Sequence, residues 1–586
     1  MKYQLIAPVT ENNCLVQILL NRGVKKEDIG EYLKIGTSTT CVNEPSAFGA
    51  DKMLKAVQMV VQHINKNDKT IIIVDPDVDG NTSSALLLNY LHDYFPNWVE
   101  QKVDFYFHSG KQHGLNDCIN DIIAGGYKFV LCPDAGSNDT VECKKLQEDG
   151  IEILILDHHD FDKPNEYALI INNQDKYSNY PNKALSGVGV VWQFCRFFDK
   201  QIDGNFANKY LDLVAVGNCA DMMDMRSIET AHLIRTGLKE LHNPFLYYMA
   251  QKNAFKLGSK ITPIGAAFYI VPLLNAVQRS GTEEEKQLVF ESMLTYKAFE
   301  EVPSTKRGHK LGETETIVEQ AVRTATNVKN RQTRVQDAAV EALENKIQED
   351  HLLDHKILLI LLNDTSNIPA EVRGLIANKF MSKYQRPCCL LTENEGVYQG
   401  SARGCSLAGV TDFKQLCVDT NLTQYAVGHP NAFGLSIKTE DVEKFLAITD
   451  DELKDMSNEP IYYVDYIFDG QNVDGQILLD IAGMNDYWGT ELDEALVAIK
   501  GLKVTESMVD IYRNKTLTIK ISLPNGVSVM KFNADEELCG KLKDNNTGFV
   551  EMDVIGKCNA NEWMGNLTPQ IFIEDFNIID SNKYYF

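Results

Sequence analysis

Residues 70–83 read TIIIVDPDVDGNTS, and this stretch decides the fold. Four β-favouring apolar residues (71–74) are followed at once by acidic residues and a glycine. That is the pattern of a strand buried on both faces and ended by a working loop. The next segment, TSSALLLNYLHDYF, has helical spacing, with Thr82 or Ser83 as its expected cap. The arrangement recurs twice: KFVLC (128–132) runs into PDAGSND, and EILIL (152–156) runs into DHHD. Strands alternating with helices at this interval imply an α/β domain with a mostly parallel, doubly wound sheet.

Ligands of such sheets sit beyond the carboxyl ends of the strands. Asp75, Asp77 and Asp79 follow the first strand, Asp134 the second, and Asp157, His158 and His159 the third. A fourth apolar stretch, LDLVAVGNCA (211–220), delivers Asp221. Gathering so many anions costs several kcal/mol per unpaired buried charge unless a cation compensates. Oxygen donors with one or two imidazoles and no thiolate suit Mn²⁺ or Mg²⁺. Four or five carboxylates exceed the needs of one ion, so two ions sharing an aspartate are expected, a pair suited to in-line displacement at phosphorus. A calcium loop does not fit DPDVDG, because no glutamate follows Gly80 at the required offset and the flanking residues form a strand.

Working outward, 586 residues exceed a single core and predict two to four domains. Hydrophobic residues make up 44% and charged residues 24%, the balance of a soluble globular protein. No run approaches the length of a membrane span, and MKYQLIAPVTENN has no secretory pattern, so a cytoplasmic location is expected. Thirteen scattered cysteines, an odd number without a C-x-x-C pair, argue against a disulfide framework or structural zinc, and predict buried thiols in a reducing compartment. The net charge of −25 opposes long-range attraction to phosphate backbones. Bound cations reverse the sign locally, and the segment from Lys306 to Arg334 holds a local basic excess.

The chain before residue 70 reads as helical. Residues 300–350 are polar and helix-favouring, predicting a long bridging helix. A second α/β block follows, with KILLILLND (356–364), the helix AEVRGLIANKFMSKY and RPCCLLT (386–392), ending in GSARG (400–404) and GHPNAFG (428–434). From about residue 460 the pattern shifts to alternating strands such as LTIKISL and GFVEMDVIG, predicting a small all-β module, a barrel.

These residues resemble the DHH phosphoesterase family. DPDVDGNTS (75–83), PDAG (133–136), LDHH (156–159) and GNCADMMD (217–224) resemble its four motifs. LLNRG (19–23), EPSAFGADKMLKAV (44–57), SGVGVVW (186–192) and PLLNAVQRSG (272–281) resemble segments of RecJ-like exonucleases in particular. GSARG and GHPNAFG resemble the DHHA1 substrate-binding motifs, and NEWMGNLTPQIFIEDF (561–576) the end of an OB-fold. The resemblance implies a DHH domain with its helical lead-in (1–300), a helical connector (301–350), a DHHA1 domain (351–450) and an OB-like domain (455–586). It departs from the family at Ile73, where a histidine is usual, and at Val427–Gly428, where a glycine doublet is usual.

Carried over residue by residue, the resemblance implies metal binding by Asp77, Asp79, Asp134, His158 and Asp221, joined or supported by Asp75. His159 would contact the scissile phosphate, with His158 and Asp79 beside it in the catalytic group. Ser401, Arg403, Gly428 and His429 would hold phosphates, with Asn275 and Arg279 as further substrate contacts. The implied activity is 5′→3′ hydrolysis of single-stranded DNA to 5′-mononucleotides with Mn²⁺ or Mg²⁺. A narrow cleft between lobes is expected to exclude duplex, and Trp563 is a candidate stacking platform. A single-strand-binding protein is a candidate partner. The alternatives are a DHH phosphatase for short oligonucleotides or cyclic dinucleotides, and a RecJ-like scaffold with weak catalysis.

Overall fold

Apolar runs flanked by polar loops become strands buried on both faces, and the runs at 71–74, 128–132 and 152–156 do so here. In the computed structural model, which describes residues 1–34, 41–108, 112–161, 163–258, 260–363, 368–406, 409–456, 461–543 and 548–583, they form strands Thr70–Val74, Phe129–Pro133 and Glu152–Asp157. Strands Val103–Phe107 and Leu169–Asn172 flank them, giving a five-stranded, all-parallel sheet. Every residue of Thr70–Val74 and Phe129–Pro133 is buried, as helices on both faces require. Ile73, at the position where the resemblance expects a histidine, is buried in the core with Ile71, Val130 and Ile155. Register brings the strand ends level: Pro133 pairs with Leu156, and the Asp134 N–H donates to the Leu156 carbonyl at 2.8 Å.

The helix after the first strand runs Val78–Tyr94 and is capped by Asp77, whose carboxylate accepts from the Gly80 N–H at 2.9 Å. The expected caps Thr82 and Ser83 lie inside that helix, buried. The acidic loop thus supplies its own cap, and the helix starts before its apolar face does. LDLVAVGNCA is a helix, Leu211–Ala220, so Asp221 arrives at a helix C-terminus, unlike the other three segments.

The chain folds as two compact units. One comprises Arg22–Lys329 with Met484–Glu494, and the other Met1–Asn21, Asn330–Gly483 and Ala495–Phe586. The expected long helix runs Ile317–Glu349 and is preceded by a short hairpin, Glu301–Pro303 with Thr314–Thr316. In the second unit a mixed sheet is ordered Thr423–His429, Ala432–Lys438, Val397–Arg403, Cys388–Asn394, Leu358–Leu362, with helix Ala370–Tyr384 against it. The C-terminal β region is a seven-stranded sheet running from Tyr466–Asp469 to Val509–Arg513 through the long antiparallel pair Gly548–Trp563 and Asn566–Lys583. Among the described residues its ladder does not join the two end strands, so the expected barrel is an open sheet. Strand Lys2–Leu5, within the segment read as helical, pairs in parallel with Ile461–Val464. None of the thirteen cysteines forms a disulfide, and all but Cys14 are buried. Among the described residues no helix is long and apolar enough to cross a membrane.

Candidate metal centre

Asp79 sits in the first turn of helix Val78–Tyr94 and is buried. Its carboxylate accepts from the Gly187 N–H at 2.6 Å, the Ser186 hydroxyl at 3.0 Å and the Val188 N–H at 3.2 Å. These donors open helix Gly187–Ile202, whose first N–H groups have no partner within the helix and favour an anion. SGVGVVW therefore works as a clamp on a carboxylate. Gly187 is required for close approach, since a Cβ there would lie 2.2 Å from Asp134 Oδ1. On the other side of the loop, Asn81 Nδ2 donates to the Asp77 carbonyl at 2.6 Å and the Asp75 carbonyl at 3.2 Å, fixing the acidic turn.

Asp134 is buried with a left-handed backbone (φ 66°), and neither carboxylate oxygen has a hydrogen-bond partner among the described residues. Buried carboxylates without donors are rare in folded proteins and call for an explanation. His158 Nε2 lies 3.3 Å from Asp134 Oδ1, 3.4 Å from Asp221 Oδ2 and 3.9 Å from Asp79 Oδ2. Burial holds the His158 imidazole below its usual pKa, leaving a neutral ring and a lone pair for a cation. Burial and the neighbouring Asp79, Asp77 and Asp75 push Asp134 well above the carboxylate range. The same forces, burial first, raise Asp77 to about 6 and Asp221 to about 8. Several carboxylates that cannot all ionise together, two oxygens with no donor, and a neutral imidazole among them fit a divalent cation site. Three overlapping groups each place their ligand atoms within 4.8 Å of one another: Asp75, Asp77 and Asp134; Asp79, His158 and Asp221; Asp134, His158 and His159. Asp134 and His158 are each shared between two of these groups.

His159 lies at the rim, about half exposed, with Nδ1 held by Asp157 Oδ1 at 2.8 Å. Asp157 also accepts from the backbone N–H groups of Ser137, His158 and His159. Burial alone would raise its pKa, but the hydrogen bond and charge of His159, with a bond from Ser137 and the nearby His158, hold it at about 2. In return Asp157 raises His159 to about 9, so the ring is cationic near neutral pH. Asp157 is thus an anchor that fixes the orientation of the His159 ring and favours its charged form. Asp75 is buried under a second imidazole, accepting from His113 Nδ1 at 2.7 Å and the Gly114 N–H at 3.3 Å. Sequence reasoning missed His113, the Ser186–Gly187 clamp and the anchoring by Asp157. Reading VDFYF (103–107) as a strand would have brought His113 to the same sheet edge.

The remaining sequence-predicted residues lie elsewhere. Asn275, half-buried, and Arg279, exposed, are on helix Val271–Ser280, which reaches the acidic loop through Gln278 Nε2 and Asn81 Oδ1 at 3.1 Å. Neither belongs to the ligand groups. Ser401 and Arg403 are two apart on strand Val397–Arg403, in the other unit. Arg403 and His429 pair with Ala432 from its two sides, and Gly428 pairs with the adjacent Phe433, so register gathers all four at one end of that sheet. Gly374 lies beneath them: a Cβ there would be 2.5 Å from Arg403 Nη2 and 3.4 Å from Ser401 Oγ. The side chain of Trp563 lies outside the described residues.

Fold and site define a class. The model of the DHH family, N-terminal domain, matches residues 69–218. A prophage SPbeta-derived protein of Bacillus subtilis (strain 168), YorK, named provisionally as a single-strand DNA-specific exonuclease, is 32% identical over 590 residues, covering 100% of this chain and 99% of the relative. The chain belongs to the DHH family, as a RecJ-like member. The single-stranded-DNA-specific exonuclease RecJ of Bacillus subtilis is 25% identical over 580 residues, 96% of this chain and 67% of RecJ. The crystal structure of RecJ in complex with Mn²⁺ from Thermus thermophilus shares the fold, with a TM-score of 0.68 at 17% identity over 99% of this chain and 80% of that one.

Proposed function

We propose that the protein is a two-metal phosphodiesterase that shortens single-stranded DNA from its 5′ end, releasing 5′-mononucleotides. The observation that carries this reading is the donor-free, buried Asp134 carboxylate beside a neutral His158, with a cationic His159 at the rim. Asp75, Asp77, Asp79, Asp134, His158 and Asp221 would hold Mn²⁺ or Mg²⁺. Divalent ions held there supply an acidified water and neutralise charge on phosphoryl oxygens. His159, oriented through Nδ1 by Asp157, offers its other ring nitrogen to a phosphoryl oxygen, stabilising charge as it develops. Arg403, Ser401, Gly428 and His429 supply cationic and polar groups suited to phosphates further along the strand, and Arg favours bidentate contact. The names of RecJ and YorK support the single-stranded DNA substrate, and the 5′ polarity is what the resemblance to RecJ-like exonucleases implies.

Two oligonucleotides, labelled at the 5′ or the 3′ end and incubated with Mn²⁺, test the reading. Early release of the 5′ label as mononucleotide is expected. Early release of the 3′ label contradicts the polarity, and no hydrolysis with Mn²⁺ contradicts the enzyme.

A further inference from the structure

The chain carries 82 acidic residues in 586, yet residues 241–282 contain none, where about six would be expected. The same stretch holds Lys252, Lys256, Lys260 and Arg279. It folds into helices Pro244–Lys252, Ala254–Leu257, Pro263–Tyr269 and Val271–Ser280. Their outer surface is aromatic: Phe255 is wholly exposed, Phe268 is 69% exposed, and Tyr247 is about half exposed. Lys256 Nζ stands 5.7 Å from the centre of the Tyr269 ring. Exposed rings gathered on one surface mark an interaction site, whereas single ones need no explanation. Phe299, also exposed, stands edge-on to Tyr248 at 6.5 Å and leads into the hairpin whose turn carries exposed Arg307 and Lys310.

The location connects this face to the metal centre. Helix Pro263–Tyr269 packs on the helix that ends at Asp221, and helix Val271–Ser280 packs on the helix that carries Asp79. Gln278 bonds Asn81 within the acidic turn. Rings and cations lie together on helices that buttress the ligands and carry no carboxylate of their own, although Lys260 is paired with Asp486 at 3.5 Å.

We infer that this aromatic and cationic face binds a single strand of nucleic acid, stacking bases on Phe255 and Phe268 while Lys256 neutralises phosphate, and so holds substrate beside the metal centre. The ligand follows from the exonuclease reading, and the chemistry from the surface. Unpaired bases present π-faces that a duplex keeps within its stack, so exposed rings select a single strand with little regard to sequence. The excess of cations supplies charge complementarity that a protein of net charge −25 otherwise lacks.

The test uses the full chain in EDTA, where no hydrolysis occurs, with fluorescent oligothymidylate and an abasic deoxyribose-phosphate chain of equal length. Wild type binds the strand with bases more tightly. Phe255→Ala/Phe268→Ala binds oligothymidylate about tenfold or more weakly and loses the preference for bases, whereas Tyr177→Ala, at an exposed tyrosine elsewhere, retains both. Equal binding by the double variant and wild type, or no preference for bases in wild type, overturns the inference. So does an acidic, phenylalanine-bearing peptide that binds wild type more tightly than oligothymidylate and is lost in the double variant, which assigns the face to a protein partner. Hydrolysis with Mn²⁺ is scored separately: its absence sinks the nuclease reading, while unchanged strand binding sinks only the face.

Discussion

Gly187→Ala adds one methyl group at the point where two ligand-bearing segments meet. Its Cβ would sit 2.2 Å from Asp134 Oδ1 and 2.6 Å from Asp134 Cβ and Cγ, whereas ordinary contact begins near 3.4 Å. About 1.2 Å of separation is therefore needed. The Gly187 N–H cannot retreat freely, because it donates to Asp79 Oδ2 at 2.6 Å, and a shift of that size would break the bond. Either Asp134 or Asp79 moves by roughly 1 Å. Misplacement on that scale lowers turnover on the order of 10²-fold, and overpacking destabilises by about 1–3 kcal/mol. Gly189→Ala is the comparison, since the three atoms nearest its Cβ would all belong to the Leu185 side chain, the first at 2.3 Å. Both variants should lose thermal stability, but only Gly187→Ala should lose Mn²⁺ affinity and turnover, measured by Mn²⁺ titration and steady-state hydrolysis. Wild-type Mn²⁺ affinity and turnover in Gly187→Ala would refute the close approach at the heart of the site.

Three other outcomes are expected. Because Asp77 and Asp221 have folded pKa values of about 6 and 8, above the unfolded value near 3.9, the metal-free protein is most stable below about pH 4 with respect to these groups. It loses that contribution as pH rises through 6 and 8, by about 3 kcal/mol at most for Asp77, which is partly solvated. Thermal unfolding in EDTA should show this slope and Mn²⁺ should abolish it; a flat EDTA profile contradicts the crowding of carboxylates. His159→Gln should lower kcat about 10²–10³-fold while Mn²⁺ affinity holds, a split that a purely structural histidine would not produce. Arg403→Lys should weaken strand affinity roughly tenfold, because a point charge cannot replace a bidentate fork; unchanged KM would remove Arg403 from the substrate contacts.

Much of the site was legible because its three central strands are buried on both faces and end abruptly in charge. IIIV, FVLC and EILIL have no solvent face to dilute their apolar pattern, so Asp75, Asp134 and His158 stand out beside them. VDFYF and LIIN, at the sheet edges, carry weaker patterns, and His113 went unseen with the first. LDLVAVGNCA is mostly apolar and buried apart from its ends, and a ten-residue run of that kind has no periodicity that separates helix from strand. The Asp77 cap was missed because the helix is buried from its first turn, so no polar face marks its start. The Ser186–Gly187 clamp joins residues more than a hundred positions apart, and closure of the C-terminal sheet depends on register between distant strands. Local pattern contains neither.

Anomalous diffraction at the manganese edge, from crystals of the full chain soaked in Mn²⁺, tests the central claim most directly. A peak is predicted at about 2.0–2.5 Å from Asp134, His158 Nε2 and Asp221 oxygens, absent in Asp134→Asn. A wild-type map with no peak among those side chains would contradict the account.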